Sequence, residues 1–374
     1  MEAVRYFRPF FDLFYHYRIE GRHFKINAPQ HKLFIVKSVV ILALCVLAAF
    51  WAPSFSDQII PNRSCINRII NWLCLGSALA TSFMVTWESL VSSKEEARIW
   101  DTFNGIENML LVGDDFAEEA IFRRFSRMYS VMFYAWLVQI VLVVWLMLMD
   151  SGMEIENLRY FILIFEILST VDSVKMLQIV LYVRILTAYV QLLANKIKHV
   201  TACVNQEVGE STEYIHEQLR LVSKCYFACM KVFGMMQDQF GWSLSFMCFK
   251  YSVALWNEIY WTVYRSVLDR SFRWYCLNIV PYHFAFIYFT WACEQFYAEI
   301  HSLSRLIYTI DVGKVETSVR VRIQQLQLLL DYKILFFHTF GICLVSYKLI
   351  VQYFISGITK VSFIAQILID FTYD

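Results

Sequence analysis

Residues 346–371 read SYKLIVQYFISGITKVSFIAQILIDF, and this stretch near the end of the chain decides the fold. A helix of about 20 residues, rising about 1.5 Å per residue, is enough to cross a bilayer. At ~100° per residue, five polar side chains of the stretch fall within roughly 80° of one another, and Phe363 alone interrupts them. These polar side chains are Gln352, Ser356, Thr359, Gln366 and Asp370.

A polar stripe on a membrane-spanning helix must face protein or water, because lipid cannot satisfy its hydrogen-bonding groups. Two interpretations follow from the pattern. In the first, the helix is buried in the bundle of its own chain. In the second, several copies of the helix line a water-filled path.

The same residues carry a family resemblance. The segment reads Thr359-Lys360, then VSFIA, then Gln366-Ile367. It resembles the C-terminal signature of insect gustatory receptors, which is Thr-Tyr, five mostly apolar residues, and Gln-Phe. Two of the four signature positions match, and Lys360 and Ile367 replace the two aromatic residues.

The resemblance implies a ligand-gated, tetrameric cation channel whose last helix lines the pore. Gln366 and Ile367 would lie at the gate, and permeant cations would pass through the centre of a homo- or heterotetramer. The ligand would be a small-molecule tastant. The chain would be a multi-pass protein of the plasma membrane of sensory neurons.

The composition independently indicates a membrane protein. Hydrophobic residues make up 58% of the chain, charged residues 17%, and the mean hydropathy is +0.48. Soluble domains have about 45–50% apolar and about 25% charged residues. A net charge of +1 without a basic tract gives no indication of a nucleic-acid partner, and the N-terminal segment shows no removable signal peptide.

Hydropathy predicts six further spans, so the chain is predicted to be an all-α membrane protein that crosses the lipid bilayer with seven helices. The six spans cover residues 33–53, 66–91, 128–149, 160–193, 240–264 and 274–297. The predicted domains are a cytosolic N-terminal segment (1–32), the first six spans (33–297), cytosolic anchor helices (298–345) and the pore helix (346–374).

The distribution of basic residues predicts the orientation. The N-terminal segment and the long connections 92–127, 195–239 and 298–333 carry 21 Lys and Arg, whereas the opposite side carries 5. The positive-inside rule therefore places the N-terminus in the cytosol and the C-terminus outside. On this topology Asn62, in the triplet Asn-Arg-Ser, is a candidate glycosylation site on the outer side.

The long inner connections carry helical patterning. In residues 315–333, Val319, Ile323, Leu326 and Leu330 share one face. Such a face must be buried, which predicts a cytosolic bundle of helical extensions. In the receptors that the chain resembles, this region anchors the tetramer, and here Gly341 is expected to end the helix before the pore segment.

The short outer loops leave little extracellular domain, so a ligand site is expected among the outer halves of spans two to six. Aromatic rings there can equally be interfacial anchors, and carboxylates near the interface can simply reach water. The candidate ligand-binding residues are Gln139, Trp145, Phe165, Glu166, Trp256, Glu258, Tyr260, Trp261, Tyr282 and His283.

Two charged features lie within predicted spans. Asp172 and Lys175, three residues apart on span four, are predicted to pair with each other. Lys360 lies on the flank of the polar stripe, where an uncompensated charge costs roughly 2.5–3.5 kcal/mol on insertion scales. We hypothesise that it lowers the conductance or selectivity for cations, because four such charges beside a pore would repel them.

Other classes of protein fit less well. No catalytic or phosphate-binding motif is present and the eight His are dispersed, so neither an enzyme nor a cofactor is predicted. An odorant receptor of the same superfamily remains an alternative. A G-protein-coupled receptor has seven helices but an outside N-terminus, and a transporter would show inverted repeats.

Overall fold

The computed structural model describes most of the chain. The described residues are 17–20, 23–26, 28–59, 65–110, 116–149, 156–205, 212–268, 272–313, 315–332, 337–339, 343–352, 355–359 and 362. The predicted glycosylation site, Asn62, lies outside them.

Eight helices and two short hairpins follow one another along the described chain. The helices are α1 (Ala28–Ile59), α2 (Cys65–Val91), α3 (Ser93–Leu110), α4 (Phe116–Met149), α5 (Glu156–Asn205), α6 (Thr212–Leu268), α7 (Phe272–Tyr308) and α8 (Thr317–Tyr332). The antiparallel hairpins pair β1 (Tyr17–Glu20) with β2 (His23–Ile26), and β3 (His338–Thr339) with β4 (Cys343–Leu344). Residues 347–352 and 355–359 are also helical, and we refer to these two stretches together as the terminal helix.

The predicted helical class is confirmed, and the two hairpins are the only departures from it within the described chain. The first six predicted spans fall within helices, and the described residues of the seventh, 347–352 and 355–359, are helical as well. By length and hydropathy, three segments of the described residues qualify as membrane spans: His31–Trp51, Trp72–Val91 and Ile167–Val204. On α1, Val36 and Phe50 are 58% and 76% exposed, as expected of side chains that contact lipid.

Helix α5 forms the centre of the bundle. It contains neither Gly nor Pro, so nothing in its sequence interrupts 50 helical residues. It contacts α2, α4, α6 and α7, and most of its side chains from Met176 to Leu193 are fully buried. Helix α6, with 57 residues, is about 85 Å long, far more than the ~30 Å of a hydrocarbon core.

The extensions beyond the predicted spans pack as a helical bundle. The predicted face of α8 is buried against α6 and α7, since Val319, Ile323, Leu326 and Leu330 are each at most 4% exposed. Helix α8 ends at Tyr332, and the hairpin of β3 and β4 separates it from the terminal helix. Gly341, at which a helix break is predicted, lies outside the described residues. The orientation in the membrane and the domain boundaries remain predictions.

Candidate functional site

The candidate site is a group of charged, amide and hydroxyl side chains, all buried except the half-buried Glu88, where α2, α3, α5, α6 and α7 meet. Charged groups inside a membrane protein are costly and usually functional. We call this group the polar core. Its members are Ser82, Glu88, Glu96, Ser169, Asp172, Lys175, Gln178, Arg184, Ser243 and Lys250.

An ion pair between α5 and α6 lies in the middle of the polar core. Lys250 Nζ is 2.6 Å from Asp172 Oδ2, and both side chains are almost completely buried. The Ser82 hydroxyl of α2 donates to the same oxygen at 3.1 Å, and Lys250 Nζ donates to Ser169 Oγ at 3.3 Å. Three helices are therefore joined by one charged group of contacts.

The predicted pairing of Asp172 with Lys175 is wrong. Asp172 instead pairs with Lys250, which is 78 residues away in the sequence. Lys175 Nζ lies 4.7 Å from the ring centroid of Phe240, in the neighbourhood of the Glu96 and Glu88 carboxylates. Spacing along one helix cannot reveal a closer partner on another helix, and this is why the prediction failed.

Two glutamates of the polar core connect α5 and α6 to α2 and α3. Glu96 Oε1 accepts hydrogen bonds from Gln178 Nε2 and from the Tyr182 hydroxyl, the latter at 2.9 Å. Glu88 Oε2 accepts from the backbone N–H of Ser243 at 3.2 Å and from its hydroxyl. Glu96 therefore joins the start of α3 to α5, and Glu88 joins the end of α2 to α6.

Arg184 is turned towards α7. Its guanidinium is fully buried and donates from Nη1 to Gln295 Oε1. The guanidinium carbon lies 4.4 Å from the ring centroid of Trp291 and 5.3 Å from that of Tyr288. These distances are typical of cation–π contacts, which partly replace the hydration that the charge has lost.

The second half of α7 is hydrogen-bonded to the segment that leads into the terminal helix. The Tyr297 hydroxyl donates to the Val345 carbonyl at 3.1 Å and accepts from the Phe337 N–H at 2.9 Å. Glu294 Oε1 accepts from the Tyr347 N–H at 2.7 Å. A displacement of α7 would therefore be passed to the terminal helix through hydrogen bonds.

One predicted ligand-binding residue lies close to the polar core. His283 is buried, with its ring 5.9 Å from that of Tyr251. The Tyr251 ring centroid is in turn 5.8 Å from Lys250 Nζ. Trp256 is half-buried, whereas Trp145 is 52% exposed on the surface of α4 and is not brought near His283 by any described contact.

The remaining candidate ligand-binding residues lie in the described helices, but the structure does not describe their side chains, and their roles stay predictions. They are Gln139, Phe165, Glu166, Glu258, Tyr260, Trp261 and Tyr282.

Part of the predicted pore stripe is described. Gln352 and Thr359 are exposed on the isolated chain, and Ser356 is half-buried. The Thr359 hydroxyl donates to the Ile355 carbonyl at 2.8 Å, a bond within the helix. The remaining stripe and gate residues, Lys360, Phe363, Gln366, Ile367 and Asp370, lie outside the described residues.

Sequence reasoning missed most of the polar core. Lys250, Arg184 and Glu88 were visible as charges within apolar segments, which is the signal that could have identified them. Within the described chain, no three His, Cys, Asp or Glu side chains cluster as metal ligands would. The buried hydrogen bonds and ion pair of the polar core can fix the positions of the helices that it joins.

Comparison with known proteins gives a likeness at the level of the fold. No protein-family profile and no curated protein matches the sequence. The solved insect olfactory receptor OR5 from Machilis hrabei is similar, with 11% identity, a TM-score of 0.74 and 97% coverage of both chains. The same receptor in complex with eugenol gives 13% identity, a TM-score of 0.61 and coverage of 98% of this chain and 97% of that one.

Proposed function

We propose that the chain is a subunit of a ligand-gated cation channel of the insect odorant and gustatory receptor superfamily. The observation that carries this proposal is the likeness in fold to an insect olfactory receptor over 97% of both chains. The polar stripe on the last span supports it, because four copies of such a helix could line a pore. A channel subunit of this kind is not an enzyme.

The proposed ligand is a small organic molecule bound among the outer halves of spans two to six. The similar receptor was solved in complex with eugenol, a small aromatic compound. In this chain His283 and Tyr251 would contact the ligand, and the polar core would pass the displacement through α6 and α7 to the terminal helix. A difference in affinity of a few kcal/mol between closed and open states is sufficient for gating.

Two branches of the superfamily are candidates for this chain. The pair Thr359 and Gln366 favours a gustatory receptor that responds to tastants. The similar solved structures are of an olfactory receptor, which favours an odorant receptor at least equally. A panel that contains both volatile odorants and soluble tastants separates the two.

The experiment is to express the chain in cells at the plasma membrane and to record currents while the panel is applied. We expect a ligand-evoked, non-selective cation current whose ion preference changes in Gln366→Ala. Counting subunits by photobleaching should give four per complex. A monomer at the cell surface that passes no current would contradict the proposal.

A test of topology separates the channel from a G-protein-coupled receptor. Epitope tags are placed at both termini, and antibodies are applied to intact cells. We expect only the C-terminal tag to be labelled. Labelling of the N-terminal tag alone would favour the other class.

A further inference from the structure

A cavity is lined in part by Glu88 of the polar core. Its volume is about 440 Å³, within the range of small-molecule sites, and it lies between the ends of α2 and α3 and the middle of α6. The charge count places this part of the chain at the cytosolic edge of spans two and five. Trp87 and Trp242 on its lining are 51% and 54% exposed.

Interfacial tryptophans alone would not indicate a ligand, because such rings are common at membrane surfaces. The distinguishing residue is Gln239, which lines the cavity and is 6% exposed. Its Oε1 has no hydrogen-bond partner in the described part of the chain. A buried acceptor left unsatisfied costs about 1–3 kcal/mol, which a donor on a bound molecule would recover.

The charged residues that line the cavity indicate the charge that a ligand would carry. Glu88, Glu95 and Asp238 are acidic, and Arg98 is the one basic residue of the described lining. Glu88 already accepts hydrogen bonds from Ser243, whereas Glu95 and Asp238 are exposed. Acceptors and aromatic faces together suit a positively charged N–H donor, since the ring faces attract cations and the carboxylates attract its charge.

We propose that this cavity binds a primary alkylammonium group, whose N–H donates to Gln239 Oε1 while its charge lies between Trp87, Trp242 and Asp238. A soluble amine and the headgroup of an ethanolamine lipid both carry this chemistry. The choline headgroup has no N–H and cannot satisfy Gln239. In the lipid case Arg98 is placed to contact the phosphate.

The site does not depend on the channel function, because binding can be measured on the purified full-length chain whatever its conductance. The chain is placed in nanodiscs of phosphatidylcholine and titrated by calorimetry with hexylammonium, hexanol and hexanoate, with empty nanodiscs subtracted. We expect saturable binding of hexylammonium, weaker binding of hexanol and none of hexanoate.

Variants identify the cavity as the site. Gln239→Leu should weaken hexylammonium about tenfold, as expected for one hydrogen bond to a charged donor. Asp238→Asn should weaken it about two- to fivefold, the range of an exposed ion pair. Glu217→Gln, at an exposed carboxylate on the same helix outside the cavity, should leave the affinity unchanged, and all three variants should elute and melt like the parent.

Nanodiscs of equimolar phosphatidylcholine and phosphatidylethanolamine show whether the alkylammonium group belongs to a soluble amine or to a lipid headgroup. A fall in apparent amine affinity identifies the lipid headgroup as the competing occupant, and an unchanged affinity assigns the site to a soluble amine. Absence of saturable binding in phosphatidylcholine, equal binding of hexanoate, or unchanged affinity in Gln239→Leu and Asp238→Asn together would overturn the proposal.

Discussion

Lys250 Nζ lies 2.6 Å from Asp172 Oδ2, and the two side chains are buried. This ion pair joins α5 and α6, the two longest helices among the described residues. A buried pair costs desolvation energy, so it is weak support for stability in itself. The pair affects stability most when a substitution removes one of its two partners. The remaining charge would be buried without compensation.

The first prediction concerns this pair. Asp172→Asn or Lys250→Met alone should lower the stability of the purified protein by about 3–5 kcal/mol, because each leaves an uncompensated group. The double variant should recover most of the loss. Thermal unfolding measured by tryptophan fluorescence provides the comparison, with exposed Arg220→Ala as the control, where the partner Glu217 is solvated and no change is expected. If the single variants are as stable as the parent, the ion pair between Asp172 and Lys250 is contradicted.

The second prediction concerns the hydrogen bonds between α7 and the segment that leads into the terminal helix. Tyr297→Phe removes the hydroxyl that bridges Phe337 and Val345, so backbone groups of this segment lose their partner. We expect faster hydrogen–deuterium exchange over residues 337–349 and a smaller ligand-evoked current. Tyr308→Phe is the matched control on the same helix, since its exposed hydroxyl contacts only Asp331 in the described chain. Equal exchange in the two variants would contradict the assigned role.

The third prediction concerns two thiols of the inner extension of α6. Burial raises the pKa of Cys225 to about 12 and raises that of Cys229 well above its usual range. Because the thiolate is the reactive form, alkylation of Cys225 at pH 8 should be on the order of 1000-fold slower than that of an ordinary thiol. Ala202→Cys, at an exposed position, supplies the reference. Labelling of Cys225 at the reference rate would show that α6 is not packed as described.

The helical architecture could be predicted from the sequence because hydropathy and the 3.6-residue period act within one segment. The buried face of α8 was predicted from Val319, Ile323, Leu326 and Leu330, and all four are buried. The placement of the first six spans within helices rests on the same local information.

The partners within the polar core could not be predicted in the same way. Lys250 and Asp172 are 78 residues apart, and Arg184 and Gln295 are 111 apart. Their contact depends on how whole helices pack, which no local period encodes. The resemblance to gustatory receptors in the last residues implied a helical membrane protein, and the described helices agree with that fold class. The resemblance carried no information about these contacts.

The fourth prediction concerns Lys360. Replacing it with Tyr, the residue of the gustatory signature, removes up to four positive charges beside the proposed pore. We expect a larger single-channel conductance and a higher preference for cations, measured in excised patches under matched ion gradients. Lys348→Gln, at the exposed start of the terminal helix, serves as the control for a lost charge elsewhere. Unchanged conductance and ion preference in Lys360→Tyr would remove the hypothesis.

The most direct test of the channel proposal is a single-particle structure of the purified protein in lipid nanodiscs. We predict four subunits around one central opening, with Gln366 of each subunit facing the axis. A monomer in which Gln366 packs inside its own bundle or faces the acyl chains would contradict it.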